Sequence, residues 1–179
     1  MTNETYNFCY DPQRQAVSSI FTVLSGSTSI SVGQLILNTA SILGLPDLMK
    51  GTIAFEVTIP VAPVAGQAKQ LGLAQYSRGA FLGFQINGAD FTIEANDGSG
   101  NTLSTPITWD TAWTATTTEF KIKWGVDGAT FFINGVRVGS FSADKLAIVK
   151  RAMTPYIVNM NADDLGVTFV EFISFQNLL

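Results

Sequence analysis

No histidine occurs in the 179-residue chain, and its only cysteine is Cys9, so the side chains that most often carry chemistry are nearly absent. A hydroxyl or thiol nucleophile needs an imidazole beside it to take its proton, and zinc or non-haem iron usually draws on imidazole nitrogen. Both routes are closed, and a lone cysteine also excludes an internal disulfide. What remains is oxygen chemistry: paired carboxylates, or a cation held by carboxylates and carbonyls. Glu56, Glu94, Glu119 and Glu171 stand isolated along the chain. Residues 96–101 and 159–164 are rich in Asn and Asp and could offer oxygens to calcium, with Asp97, Asp163 and Asp164 as candidate ligands. Asn, Asp and Gly are also the residues that turns select, because they tolerate φ > 0 and hydrogen-bond their own backbone. A turn-only role for both stretches is the plainer reading, and no cofactor is required.

Aromatic side chains are the second source of function. Phe81, Trp109, Trp113 and Phe132 are candidates for stacking on a sugar or for a protein interface, with Lys123 and Arg137 flanking Phe132. Each has a structural alternative. Trp109 and Trp113 could plug one end of a core, and Phe132 could be covered by a second layer.

These residues must be placed by a fold built from modest charge and ample apolar material. Apolar residues make up 46% of the chain and charged residues 13%, about half the roughly 25% usual in soluble domains. The net charge is −4 with scattered basic residues, so nucleic acid is not an expected partner. No apolar run reaches the roughly 18 residues of a membrane helix, and Met1-Thr2-Asn3-Glu4 lacks the opening of a signal peptide. The expectation is a protein that neither spans a membrane nor is exported.

Residues 1–30 differ from the rest and read as an N-terminal arm, with residues 31–179 as one sandwich domain. Asp11-Pro12 is a helix-start signal, and Val17, Ile20, Phe21 and Leu24 fall at i, i+3, i+4, i+7. The spacing predicts an amphipathic helix over residues 12–25, closed by Gly26; the alternative is a β-branched edge strand. Residues 30–45 could join either part.

Beyond the arm the period becomes two. Ile53, Phe55, Val57 and Ile59 alternate with polar positions, and the segment ends in the Pro- and Gly-rich stretch 60–66. Asn87-Gly88, Asp127-Gly128 and Asn134-Gly135 predict two-residue hairpins. The first sets Phe84 opposite Phe91, Leu82 opposite Ile93, and Phe81 outward opposite Glu94. The second sets Trp124 opposite Phe131, and the third sets Ile133 opposite Val136 and Phe131 opposite Val138. Trp124 is then core, and Lys123, Phe132 and Arg137 line up on the other face. Residues 167–175 are too continuously apolar for simple alternation, so that strand is central or bulged near Glu171.

The run from Phe120 to Trp124, then Asp127-Gly128, then Thr130 to Val138 with its Asn134-Gly135-Val136 turn, resembles the hairpins of concanavalin A-like sandwiches. Residues 51–59 and 165–175 are similar to that superfamily's flanking strands. The superfamily includes laminin G-like domains, legume-type lectins and laminarinase-like glucanases. The resemblance implies an all-β, concanavalin A-like antiparallel β-sandwich, or jelly roll. Laminarinase-like glucanases place three carboxylates at alternating positions of one strand, a cluster this sequence lacks, so no enzymatic activity is expected. By analogy with armed jelly rolls of phages, the leading expectation is a virion structural protein, a capsid decoration or cement protein made in the host cytoplasm. Its arm residues Val17, Ile20, Phe21 and Leu24 would mediate homo-oligomerisation and contact with the major capsid or another virion protein. The alternative is a carbohydrate-binding module or lectin that takes surface glycans on its exposed aromatics.

Overall fold

The computed structural model describes residues 4–7, 21–31, 34–44, 51–142, 144 and 153–176. Thirteen strands account for most of them: β1 (Glu4–Asn7), β2 (Phe21–Ser31), β3 (Gln34–Gly44), β4 (Gly51–Thr58), β5 (Ala68–Gln75), β6 (Ala80–Asn87), β7 (Asp90–Asn96), β8 (Thr102–Pro106), β9 (Thr118–Gly125), β10 (Gly128–Ile133), β11 (Val136–Ser142), β12 (Thr154–Asn159) and β13 (Leu165–Gln176). Short 3-10 turns occupy Tyr76–Arg78 and Thr111–Trp113.

Hydrogen bonding links the strands in the order β11-β10-β9-β4-β13-β3-β12-β5-β6-β7-β8, with β1 added to β13 and β2 to β3. Such a sheet leaves one apolar face, and it buries that face by folding over on itself. Phe84 of β6 meets Phe120 of β9 at 5.1 Å and Phe131 of β10 at 5.5 Å, both edge-on. One layer is therefore β4, β9, β10, β11 and β13, and the other is β5, β6, β7, β8 and β12. Ile53, Phe55, Val57 and Ile59 are fully buried between them, as their alternation requires, and so is Trp124 at 5% exposure.

The layers join at a corner. Residues 156–159 of β12 pair with 40–43 of β3, and residues 165–167 of β13 pair with 35–37 of the same strand. The far neighbour of β12 is β5, whereas that of β13 is β4. The chain thus passes from one layer to the other through residues 160–164 while β3 spans both. This is the all-β antiparallel sandwich, or jelly roll, that the strand pattern implies.

The predicted helix is not formed where it can be judged. Phe21 and Leu24 lie in β2, which pairs along β3 from Phe21↔Gly44 to Ser31↔Gln34. Val17 and Ile20 lie outside the described residues. The i, i+4 spacing was overridden by partner edge and propensity: Thr22, Val23, Thr28 and Ile30 are β-branched, and a long β3 edge is open to them. Gly26 does take φ = +74°, as at a helix end, but at a bulge against the Thr39 backbone. Residues 34–44 belong to the centre of the sheet.

Two of the three hairpin registers are displaced by two residues. Asn87 pairs with Asp90, so Gly88-Ala89 is the loop, Ile86 faces Phe91 and Phe84 faces Ile93. Gly88 has φ = +64° and Ala89 does not enter that region, the pattern of a type II′ turn, which puts glycine first. Likewise Gly125 pairs with Gly128, and Phe131 faces Ile122 rather than Trp124. A slip of two leaves every side chain on its original face, so the core survives the error while the partners change. Ile133↔Val136 stands as predicted, but a bulge then sets Phe131 opposite Gly139 rather than Val138. The shift between Phe169 and Glu171 on β13 matches the expected bulge.

At the third hairpin Asn134 and Gly135 have φ of +48° and +76°, the two positive angles of a type I′ turn. Gly135→Ala should therefore cost about 1 kcal/mol, the penalty of an alanine held in the left-handed region. Urea denaturation measures it; an unchanged midpoint would mean that the turn refolds to another type at no cost.

Candidate functional site

The outer face of the second layer is set by strand parity. Leu71 and Leu73 of β5 and Leu82, Phe84 and Ile86 of β6 point into the core, so Gln70, Gly72, Phe81, Gly83, Gln85 and Asn87 face out. Glu94 of β7 lies opposite Gly83, and Tyr156 of β12 lies opposite Gly72. One row across the sheet therefore runs Tyr156, Gly72, Gly83, Glu94. The adjacent glycines make a trough with an aromatic on one side and a carboxyl on the other, and it is filled, since both glycines are buried.

The glycines are required by close approach. A Cβ on Gly72 would collide with the Leu82 carbonyl and with Gly83 Cα, and one on Gly83 would collide with the Leu71 carbonyl and the tip of the Phe81 ring. Phe81 sits with that tip over Gly83 and its ring 6.4 Å from Tyr156, edge-on. At 4% exposure it is an outward residue but not an open stacking platform.

Beside the trough, Gln70 Nε2 donates to Gln85 Oε1 at 3.1 Å. The pair forms part of a cleft of about 200 Å³ lined also by Asn87, Val158 and Met160. Met160 is well exposed, and Val158 is buried. Amides bonded to each other keep further N–H and C=O capacity for a ligand. Glu94 is half-buried, and burial raises its carboxyl above the ordinary glutamate range. Such a group is a good acceptor for a hydroxyl and a costly place for a bare charge. Glu94 and Phe81 were within reach of sequence parity; Gln70, Gln85 and Tyr156 needed the pairing of β5 with β6 and β12, which no local signal encodes.

The loop that turns the layer corner holds a second polar cluster. Lys69, at 1% exposure, follows the inward parity of Leu71 and Leu73. Its Nζ donates to both oxygens of Asp163 at 2.9 Å, to Gln67 Oε1 at 2.5 Å and to Asn161 Oδ1 at 3.1 Å. Burial pushes the Lys69 ammonium below the usual lysine range, opposed by the Asp163 hydrogen bond and charge. Asn159 Nδ2 donates to the carbonyls of Leu37 and Asp163, and Asn38 Nδ2 to Asp164 Oδ1. The candidate calcium ligands Asp163 and Asp164 are thus engaged by Lys69 and Asn38. Asp97 accepts from the Ser99 and Asn101 backbone N–H groups and from Asn101 Nδ2, closing its own loop. Among the described residues no three His, Cys, Asp or Glu side chains gather as a metal would need.

Trp109 and Trp113 stand edge-on to each other at 5.4 Å and both pack on Phe91 at the end of the core. Trp109 Nε1 donates to Thr114 Oγ1, and Asp110 caps the 3-10 turn through the Ala112 N–H. Both rings are half-buried. On the first layer Phe132 pairs with Arg137 on one side and Lys121 on the other, and Lys123 reaches diagonally, Nζ 5.4 Å from the ring centroid. Glu56 and Glu119, isolated in sequence, are cross-strand neighbours on this outer face, with Lys121 Nζ 3.9 Å from Glu119.

Solved structures superpose on this chain over nearly its whole length. The laminarinase catalytic domain of Thermotoga maritima matches with a TM-score of 0.73, covering 99% of this chain and 100% of that one at 10% identity. An endo-β-1,3-glucanase from Pyrococcus furiosus gives 0.67 over 91% of each chain at 12% identity. The receptor-binding domain of a botulinum neurotoxin C/D mosaic serotype gives 0.64 at 11% identity, over 86% of this chain and 42% of the toxin domain. At such identities the likeness is one of fold. No protein-family model and no curated protein matches the sequence. The expectation of a capsid decoration or cement protein is corrected by these findings: the structures that share the fold include glucanases and other glycoside hydrolases, and two of the four residues assigned to a docking helix, Phe21 and Leu24, lie in β2.

Proposed function

We propose that the protein binds a neutral glycan in the cleft on the outer face of the second layer, without hydrolysing it. The observation that carries this is the Gln70–Gln85 amide pair set in an outer-face cleft of about 200 Å³ lined also by Asn87, Val158 and Met160. A sugar ring offers hydroxyls that need both donors and acceptors, and an apolar face that settles against Met160 and Val158. The cleft provides these in the half-buried setting where such bonds count most. Similarity of fold to endo-1,3-β-glucanases makes a β-1,3-glucan oligosaccharide the first ligand to try.

Hydrolysis asks for a second carboxyl, about 5–5.5 Å away for retention or 6.5–9.5 Å for inversion. The next outward carboxylate along β7 is Asp90, four residues from Glu94 and so about 13 Å distant at the rise of a strand. Across the sheet, Glu94 faces Gly83 and Ser104.

Calorimetric titration with laminari-oligosaccharides, with a parallel assay for new reducing ends, tests the reading. Binding without cleavage is expected, with Gln85→Ala weakening it about fivefold, the value of one neutral hydrogen bond. New reducing ends would make the protein an enzyme. Absence of heat with these and with a panel of neutral glycans would sink the proposal.

A further inference from the structure

We infer that a second site, on the opposite layer, takes the sulfate or carboxylate of an acidic sugar. A groove of about 450 Å³ lies at the β9–β10 turn and is lined by Lys123, Thr130, Arg137, Ser140 and Ser142, with Asp127 on its rim. Register explains the gathering. Lys123, Thr130 and Ser140 form one row across β9, β10 and β11, and Gly125, Gly128 and Ser142 form the next outward row. Glycines leave this second row open, and Trp124, Ala129 and Phe141 complete the lining.

Two cations converge there. Lys123 leans over Phe132 on β10, and Arg137, paired with Phe132 from the other side, sends Nη2 back to Ser140 Oγ at 2.6 Å. Among the described residues neither has a carboxylate within ion-pair distance. In a chain of net charge −4, a groove holding two cations without an ion pair against one carboxylate, Asp127, marks a local preference for an anion. Arg137, held by Ser140, has a planar fork suited to the paired oxygens of sulfate or carboxylate. Thr130, Ser140 and Ser142 supply hydroxyls at the scale of one sugar ring, and Asp127 can accept from a sugar hydroxyl while repelling a second acidic group. The site is distinct from the glycan cleft, which lies on the other layer and whose lining cation, Lys69, is paired with Asp163.

The test is an amide-shift titration of the isotope-labelled full chain with three probes: a disaccharide containing glucuronate, a sulfated disaccharide and an uncharged disaccharide. The acidic sugars should move the amides of Gly125, Gly128, Thr130 and Ser140 and leave those of Gln70, Gln85 and Asn87 still, so the outcome is read apart from the neutral-glycan site. Lys123→Gln and Arg137→Gln should each weaken this binding about tenfold, as loss of a charge-assisted hydrogen bond implies. Thermal melts of both exposed variants, expected within about 2 °C of the parent, separate binding from folding. Equal affinity for the uncharged disaccharide, or unchanged binding by both variants, would overturn the assignment. Inorganic sulfate binding as tightly as the sulfated sugar would overturn its sugar part.

Discussion

Lys69→Met should cost about 3–5 kcal/mol, a drop in melting temperature of about 10 °C for a domain of this size. The ammonium satisfies four acceptors that have little water to turn to: both oxygens of Asp163, Gln67 Oε1 and Asn161 Oδ1. Methionine fills the stem's volume but leaves the partly buried carboxylate without its counter-ion. The lost partner also loosens the 160–164 passage between the layers, where Asn161 ties back to Ala68 and Gly66. Lys69→Met combined with Asp163→Leu should recover much of the loss, because an apolar pair removes the stranded charge. A double variant that costs the sum of its singles would show that the pair is not coupled.

The same group sets a pH dependence. Burial lowers the Lys69 pKa on folding, so between the folded value and the ordinary lysine value of 10.5 the unfolded chain binds more protons than the native one. Stability from this group alone therefore rises as pH climbs through that window. Glu94 runs the other way: its carboxyl is raised by burial, so its contribution falls as pH rises from 4.5 through the folded value.

What the sequence made legible follows from what is local. Parity along a strand names the buried face, and it held for β4, β6 and β9 even where hairpin partners slipped by two. Turn type is local too, but Asn-Gly and Asp-Gly leave open whether glycine sits first, second or just after the loop, and Gly88, Gly135 and Gly128 take those three places. The helix expectation failed because periodicity cannot see an open edge such as that of β3. The outer face around the cleft was half legible: Phe81 and Glu94 are outward by parity. Their neighbours Gln70, Gln85 and Tyr156 come from β5, β6 and β12, and Tyr156 of β12 meets Gly72 of β5 at a distance of 84 residues in sequence. The Lys69–Asp163 pair is of the same kind. Lys69 sits at inward parity, a warning in itself, but its partner is 94 residues away.

Phe84→Ala should destabilise the fold by about 3–5 kcal/mol, and it should weaken the cleft as well. Phe84 is the contact on which the layers close: stacked with Phe91 at 6.2 Å on its own layer, and edge-on to Phe120 and Phe131 on the other. Aromatic contacts of this geometry add about 0.5–1.5 kcal/mol each beyond area burial, so losing three of them drives the cost toward the upper end. Phe84→Leu, which keeps most of the volume, should cost far less, about 1.5 kcal/mol or below. Chemical denaturation of the two variants measures the difference. Phe84 also lies between Gly83 and Gln85 on β6, so its side chain pins from within the strand segment that forms the trough outside. A cavity beneath it frees that segment to shift, and binding geometry on a sheet surface tolerates little movement. Glycan affinity measured well below the melting temperature should therefore fall in Phe84→Ala while Phe84→Leu keeps it. Full affinity in a strongly destabilised Phe84→Ala would mean that the cleft is held from its outer face alone, through the Gln70–Gln85 bond and the Phe81–Tyr156 contact.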